Sequence, residues 1–220
     1  MIKIADLYDL DHTIASDYLN GFEYPWEALD GIKELILKIG PELPKDEFTE
    51  VEENVWVAND ATVFKTAYLG SPCIIDHGAE VRQCAFIRGS AIVGKNAVVG
   101  NSTELKNVIL FDNVQVPHYN YVGDSILGYK AHMGAGSITS NVKSDKSLVV
   151  VKDSMAEYPT LRKKVGAMLG DNVEVGCNSV LNPGTVIGRN SQVYPTSCVR
   201  GVIPENSIYK DKDNIVLKNA

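Results

Sequence analysis

Eleven apolar residues recur six positions apart: Val51, Val57, Val63, Leu69, Ile75, Val81, Ile87, Val93, Val99, Leu105 and Phe111. Four positions after each member from Val57 to Val99 stands a small residue: Ala61, Ala67, Cys73, Ala79, Ala85, Ala91, Ala97 and Thr103. If roughly half of all residues are apolar, the eleven-fold run arises by chance on the order of once in two thousand trials per frame. A helix repeats every 3.6 residues and a strand every two, so neither sustains a period of six. A hexapeptide repeat does, and it predicts an all-β chain folded as a parallel β-helix. Three hexapeptides make one triangular coil, and successive coils stack as neighbouring strands ~4.8 Å apart.

The period bounds the domains. Residues 1–48 lack it. Trp26, Leu29, Ile32, Ile36 and Ile39 mark one helical face there, with Pro25 at its entry and Gly40-Pro41 as its stop. A weaker helical pattern joins Leu7, Leu10, Ile14 and Tyr18. The segment is expected to be a helical cap or linker that shields an open strand edge at one end of the stack. The β-helix is assigned to residues 49–210, beginning near Val51 and running in frame to Pro117. The frame shifts there, Leu127 and Met133 carry it on, and it resumes at Leu169, Val175, Leu181, Ile187, Val193 and Val199. The stretch 140–164, with Lys143, Lys146, Lys152, Arg162, Lys163 and Lys164, reads as a loop expelled from the stack. About nineteen hexapeptides give six to seven coils, and residues 211–220 form a C-terminal tail.

Composition narrows the class. The 220 residues are 45% hydrophobic and 22% charged with a net charge of −7. An acidic balance argues against nucleic acid or an anionic membrane as partner, so any anionic ligand needs a local basic cluster. No apolar run has transmembrane length, and MIKIADLYDLDHTI carries acids where a signal peptide needs bases, so a cytoplasmic location is expected. Cys73, Cys84, Cys177 and Cys198 show no paired spacing and read as buried free thiols.

Counting along the stack locates candidate chemistry. Arg88 and Lys106 are eighteen apart, and each follows a core residue, so they should lie one above the other. Two stacked cations are satisfied by an anion between them, or they splay into solvent. A further eighteen residues reach Asp124, a partner for Lys106 or an acceptor for an amino or hydroxyl group. His118 stands at the frame break in Val116-Pro117-His118-Tyr119-Asn120-Tyr121, where a neutral imidazole suits a general base. Tyr121 can orient a substrate hydroxyl or fill an interface. Gly134-Ala135-Gly136 lacks the following Lys-Ser/Thr of a phosphate loop and reads as a close backbone approach.

The stretch NSTELKNVILFDNVQVPHYNYVGDSILGYKAHMGAGSITSN resembles the acetyltransferase half of the N-acetylglucosamine-1-phosphate uridyltransferase / glucosamine-1-phosphate acetyltransferase family. SDKSLVVVKDSMAEYPTLRKKVGAMLGDNVEVGCNSVLNPGTVIG is similar to the archaeal-type sugar-1-phosphate nucleotidyltransferases with a fused acetyltransferase. YPWEALDGIKELI resembles their linker helix. The likeness spans residues 24–205, and the glycine-rich nucleotide loop of that family has no counterpart in it, so uridyl transfer is not expected.

The resemblance implies a left-handed β-helix, a homotrimer with sites between subunits, and direct N-acetyl transfer from acetyl-CoA to a hexosamine 1-phosphate, glucosamine 1-phosphate first. It makes His118 the general base. Arg88, Lys106 and Tyr121 become substrate ligands, and His132 stands where the family commonly has an asparagine on the sugar. Ala135, Asn141, Val142, Cys177 and Pro195 fall at acetyl-CoA positions, with Cys177 in place of a serine. A backbone N–H within Gly134–Gly136 would stabilise the oxyanion. Lys152 and Arg162 to Lys164 are expected to add contacts to CoA or sugar phosphates.

Two other classes remain. A non-catalytic trimeric sugar-phosphate-binding or regulatory subunit would keep the site and lose turnover. A zinc-dependent γ-type carbonic anhydrase needs three histidines, two of them five residues apart, and His12, His77, His118 and His132 offer no such pair, so no metal is predicted.

Overall fold

The computed structural model describes residues 2–218. Strands Val55–Ala58, Cys73–Ile75, Ala91–Val93, Glu104–Leu110, Tyr121–Leu127, Ala167–Leu169, Thr185–Ile187 and Val202–Ile203 pair in that order as a ladder of eight rungs. The chain is therefore a parallel β-helix with seven full coils between its first and last rungs. Partners in adjacent coils are 18 residues apart near the start, as in Val55↔Cys73, and 17 apart in the middle, as in Gln115↔His132. One step is 42, in Ile126↔Met168 and Ile138↔Val180, an excess of 24 residues over an 18-residue coil. That excess is the expelled segment. It folds as an antiparallel hairpin, Val150–Lys152 with Glu157–Pro159, and buries Val149 and Val151 completely.

The period of six survives with two corrections. Val51 lies in an antiparallel hairpin, Phe48–Glu52 on Val55–Ala58, and is 51% exposed, so the coils begin at Val55. The frame slips at Asn107, not at Pro117: Leu105 pairs with Ile87, but Leu110, not Phe111, pairs with Val93. Phe111 is fully buried because it turns outward onto the Tyr8 ring, 5.1 Å away between centroids. Ile75, Val81, Ile87, Val93, Val99 and Leu105 fill the interior, and Leu127, Met133, Leu169, Leu181, Ile187 and Val199 continue it. The small residues Ala79, Ala85, Ala91, Ala97 and Thr103 are buried beside them where the triangular coil is too narrow for a second large side chain.

Corners impose their own pattern. Asn96, Asn113, Lys130, Asn172, Asn190 and Asn206 share one column at positive φ; Ser102, Tyr119, Gly136, Asn178 and Thr196 share another. Asparagine tolerates this conformation at low cost among side-chain-bearing residues. Asn172, Asn190 and Asn206 also hydrogen-bond up the column at 3.1 Å per step.

Residues 1–48 were expected to cap an end. The described part, residues 2–48, lies along one side of the stack instead, and the ends carry the hairpins Phe48–Ala58 and Ser207–Leu217. The reason is a second apolar column: Trp56, Ile74, Ile92, Ile109, Ile126, Met168 and Val186 precede the inward residues of their rungs, point outward and are at most 5% exposed. Helix Ile32–Ile39 packs on rungs Ala91–Val93 and Glu104–Leu110 with Ile32, Leu35 and Ile36. The expected single helical face is split between a 3-10 turn, Pro25–Gly31, and this helix. The earlier pattern resolves into short turns, Ile4–Leu7, Leu10–His12 and Ser16–Leu19. Backbone bonds Asp112 N–H to His12 O (3.0 Å) and Asp171 N–H to Leu7 O (3.0 Å) fix the strap.

All four cysteines are free, but only Cys73 is buried; Cys84, Cys177 and Cys198 are exposed because they occupy corners or outward positions. Burial pushes the Cys73 thiol up to about 12. Among the described residues, no helix is long and apolar enough to cross a membrane.

Candidate functional site

His118 ends strand Gln115–His118 and is exposed at a corner. Its backbone N–H donates to Asn120 Oδ1 (3.1 Å), while its ring has no partner among the described residues. Asn120, 2% exposed, holds this corner to the next coil by donating to Gly134 O (2.8 Å) and Ser137 O (3.1 Å). Tyr119 between them sits at φ 54, a conformation costly for a bulky residue. Asn120 was not singled out from the sequence. Its signal is the run His-Tyr-Asn-Tyr at a corner, where a buried amide must find partners.

Directly in register with His118 stand Asn101 on one side and Ala135, Cys177 and Pro195 on the other. The bonds Gly136 N–H to His118 O (3.0 Å), Asn178 N–H to Ala135 O (2.8 Å) and Thr196 N–H to Cys177 O (2.8 Å) link this column. Three of the five expected cofactor residues therefore share the corner of His118. Within Gly134–Gly136, the Gly134 and Gly136 N–H groups are already committed, to Val175 O (2.7 Å) and His118 O. The Ala135 N–H alone has no partner among the described residues.

Asn141 and Val142 lie elsewhere. Asn141 Nδ2 donates to the Tyr121 hydroxyl (3.2 Å) and to Asp124 Oδ2, and Val142 bridges Lys164 where the insertion returns. His132 is level with Gln115 rather than His118, about 10 Å further back along the strand direction. Its Nδ1 lies 2.7 Å from Glu174 Oε2, and the structure does not bring it to Lys106.

Arg88 and Lys106 are stacked as counted, with Arg88 N–H donating to Leu105 O at 2.8 Å. The like charges do not call for an anion between them. Arg88 Nη1 meets Glu104 Oε1 at 2.7 Å, and Lys106 Nζ meets both Asp124 oxygens at 3.0 and 3.1 Å. Register places Gly123 opposite Lys106, but its side chain still reaches Asp124 one residue beyond, at the corner. Asp124 is 4% exposed and also accepts from Asn107 Nδ2 at 3.0 Å. Burial first, then Asp124 and Glu104, push the Tyr121 phenol above its ordinary value, so it remains a neutral hydroxyl.

Beyond Asp124 a cleft of about 390 Å³ opens, lined by Leu29, Asn107, Leu161, Arg162, Lys163 and Lys164 among others. Lys163 and Lys164 are exposed and meet no carboxylate among the described residues, whereas Lys152 pairs with Glu157 inside the hairpin and Arg162 with Asp30. The face from the His118 corner to the Asp124 corner thus offers a free base, a phenol and amide in its middle, and unpaired cations at its far end. Among the described residues, no group of three or more His, Cys, Asp or Glu is placed to hold a metal ion.

Coils, corner column and elaborated face together define a hexapeptide-repeat β-helix. The family model for the GMPPB C-terminal domain matches residues 69–187, and the chain belongs to that family. It is 31% identical over 221 residues to a bifunctional protein GlmU of Methanococcus maripaludis, covering 99% of this chain and 52% of that protein. It is 27% identical over 161 residues to a bifunctional sugar-1-phosphate nucleotidylyltransferase/acetyltransferase of Sulfurisphaera tokodaii, covering 73% of this chain and 40% of that one. The chain spans about half the length of the curated relatives it matches. Among solved structures, the polySia-specific acetyltransferase NeuO shares the fold, with a TM-score of 0.51 at 13% identity over 72% of this chain and 80% of that one.

Proposed function

We propose that the chain is an N-acetyltransferase that moves the acetyl group of acetyl-CoA to the amine of a hexosamine 1-phosphate, glucosamine 1-phosphate first, in the cytoplasm. The observation that carries this reading is the unpartnered His118 ring in register with the free Ala135 N–H. His118 accepts a proton from the amine as its nitrogen attacks the thioester carbonyl, a role that typically contributes ~10²–10⁴-fold. The Ala135 N–H donates to the oxyanion. Collapse of the tetrahedral adduct breaks the carbon–sulfur bond, and the departing thiolate takes from His118 the proton that the amine gave up. Cys177 and Pro195 continue the column that would flank the cofactor. Tyr121 and Asn141 bind the sugar, and Arg88 and Lys106 stand beside them as ion-paired ligands. Lys163 and Lys164 are the cations left to meet the phosphate.

A homotrimer fits the surface next to this face. The outward column Tyr68, Phe86, Glu104, Tyr121, Ile138, Val180 and Cys198 is apolar toward both ends, its one carboxylate, Glu104, is paired with Arg88, and Tyr68 is 58% and Phe86 43% exposed. Threefold packing on it would bring a neighbour against His118. The reading is tested by thiol release from acetyl-CoA with glucosamine 1-phosphate and galactosamine 1-phosphate. Release with either supports it; binding without release would assign a non-catalytic binding or regulatory subunit instead.

A further inference from the structure

The turn Pro25–Gly31 touches both walls of the cleft over Asp124. On one wall, Leu29 O accepts from Asn107 Nδ2 at 3.1 Å, and the same nitrogen donates to Asp124 Oδ1 at 3.0 Å. On the other, Arg162 Nη2 meets Asp30 Oδ2 at 2.8 Å and Glu27 O at 3.1 Å, while Nη1 donates to Thr160 O at 3.1 Å. The Arg162 side chain is 19% exposed, and its Nε is buried without a partner. The Asp30 side chain is 76% exposed, so what distinguishes the pair is the number and placing of the Arg162 contacts rather than the charge pairing alone. Here the planar fork holds three fixed contacts on two segments 135 residues apart. Lys163 and Lys164 follow at once, each Cα only ~3.8 Å further along.

We propose that Arg162 and Asp30 are a positioning pair for the sugar site, setting how far Lys163 and Lys164 stand from Asp124 and hence which sugar phosphate spans the cleft. The proposal rests on the reading of this face as the sugar-phosphate site. Neither residue needs to touch substrate. The pair acts by tying the returning end of the insertion to the same turn that, through Leu29 and Asn107, locates Asp124.

The test compares Asp30→Ala, Arg162→Ala and Arg162→Lys with the unmodified protein. Readouts are kcat, both KM values, Tm, and calorimetric binding of glucose 1-phosphate, which carries the phosphate but no amine to acetylate. The alanine variants are expected to raise the KM for glucosamine 1-phosphate about tenfold while kcat and the acetyl-CoA KM stay within about twofold. Glucose 1-phosphate should weaken in parallel, and Arg162→Lys should recover part of the loss. Unchanged sugar-phosphate KM and glucose 1-phosphate affinity would overturn the pair, as would equal losses in kcat and both KM values. Protein that releases no thiol yet binds glucose 1-phosphate, with variants binding it less, would remove acetyl transfer and keep the pair. Protein that does not bind glucose 1-phosphate at all would overturn it.

Discussion

Two faces of one β-helix use the same coil geometry for opposite ends. On the face carrying Trp56, Ile74, Ile92, Ile109, Ile126, Met168 and Val186, the outward residues are apolar and buried, and the N-terminal strap packs on the rungs of Ile92, Ile109 and Ile126. On the face from His118 to Asp124, the outward residues in register are Glu104 and Tyr121, then Arg88 and Lys106, and that face stays open. The stack supplies a ruler on both faces. What differs is whether the outward position alternates with the core or matches it. Where it matches, a strand becomes apolar on both sides and demands a cover. Where it alternates, polar groups are delivered a coil apart and become available for chemistry. The two faces meet at Asp124, and there the strap itself reaches the site through Leu29 and Asp30.

The largest break in this comparison is on the open face. His118→Ala is expected to lower kcat by ~10²–10⁴-fold with Tm unchanged, because an exposed ring without partners contributes little to folding. Steady-state kinetics with thermal denaturation reads both; unchanged turnover would remove the general-base role. The mirror experiment falls on the covered face. Ile109→Ala should cost about 2–5 kcal/mol in denaturant unfolding, since it deletes fully buried atoms between strap and coil. Its kcat per folded molecule should stay near that of the parent protein. A Tm loss of similar size in both variants would mean the two faces are not functionally separate.

Charge substitutions sharpen the open face further. Lys163→Gln with Lys164→Gln should raise the KM for a hexosamine 1-phosphate about tenfold, two unpaired cations being lost. Arg88→Ala should do less, about twofold to threefold, because Glu104 already neutralises that guanidinium. If Arg88→Ala has the greater effect, the Arg88–Glu104 pair opens on binding, and the phosphate sits between the stacked cations after all.

The interior was legible because its rule is local: one apolar residue in six, with a small residue four later. The misreadings at Val51 and Phe111 share a cause. Both are apolar and in phase, but a hairpin turns Val51 outward and the residue lost at Asn107 turns Phe111 onto Tyr8. The covered face had a signal that went unread, an aliphatic or tryptophan residue immediately before the inward residue once per coil. The arrangement of the candidate site was legible in parts. His118, Ala135, Cys177 and Pro195 came together by resemblance, since steps of 17, 42 and 18 residues hide the column from any single period. The Arg162–Asp30 contact and the neutralisation of Arg88 by Glu104 depend on side-chain reach, which no spacing encodes.

The smallest predicted effect lies where the covered face meets the first hairpin. His77 Nδ1 lies 3.0 Å from Asp60 and Nε2 3.1 Å from Glu47, so the imidazole ties the segment before the hairpin to the first coil. Burial pulls this histidine down, but Asp60, Glu47 and Asp76 together push it above its ordinary value. A native value raised above the unfolded one gives stability that is full below the unfolded value, about pH 6.5, and lost as pH rises through the native one. Thermal denaturation across that interval should therefore show Tm falling slightly with rising pH, and His77→Gln should flatten that part of the profile. A substitution that lowers Tm equally at pH 5 and pH 9 would show that His77 holds the hairpin by packing against Phe48, whose ring centroid is 5.0 Å away, and not by charge.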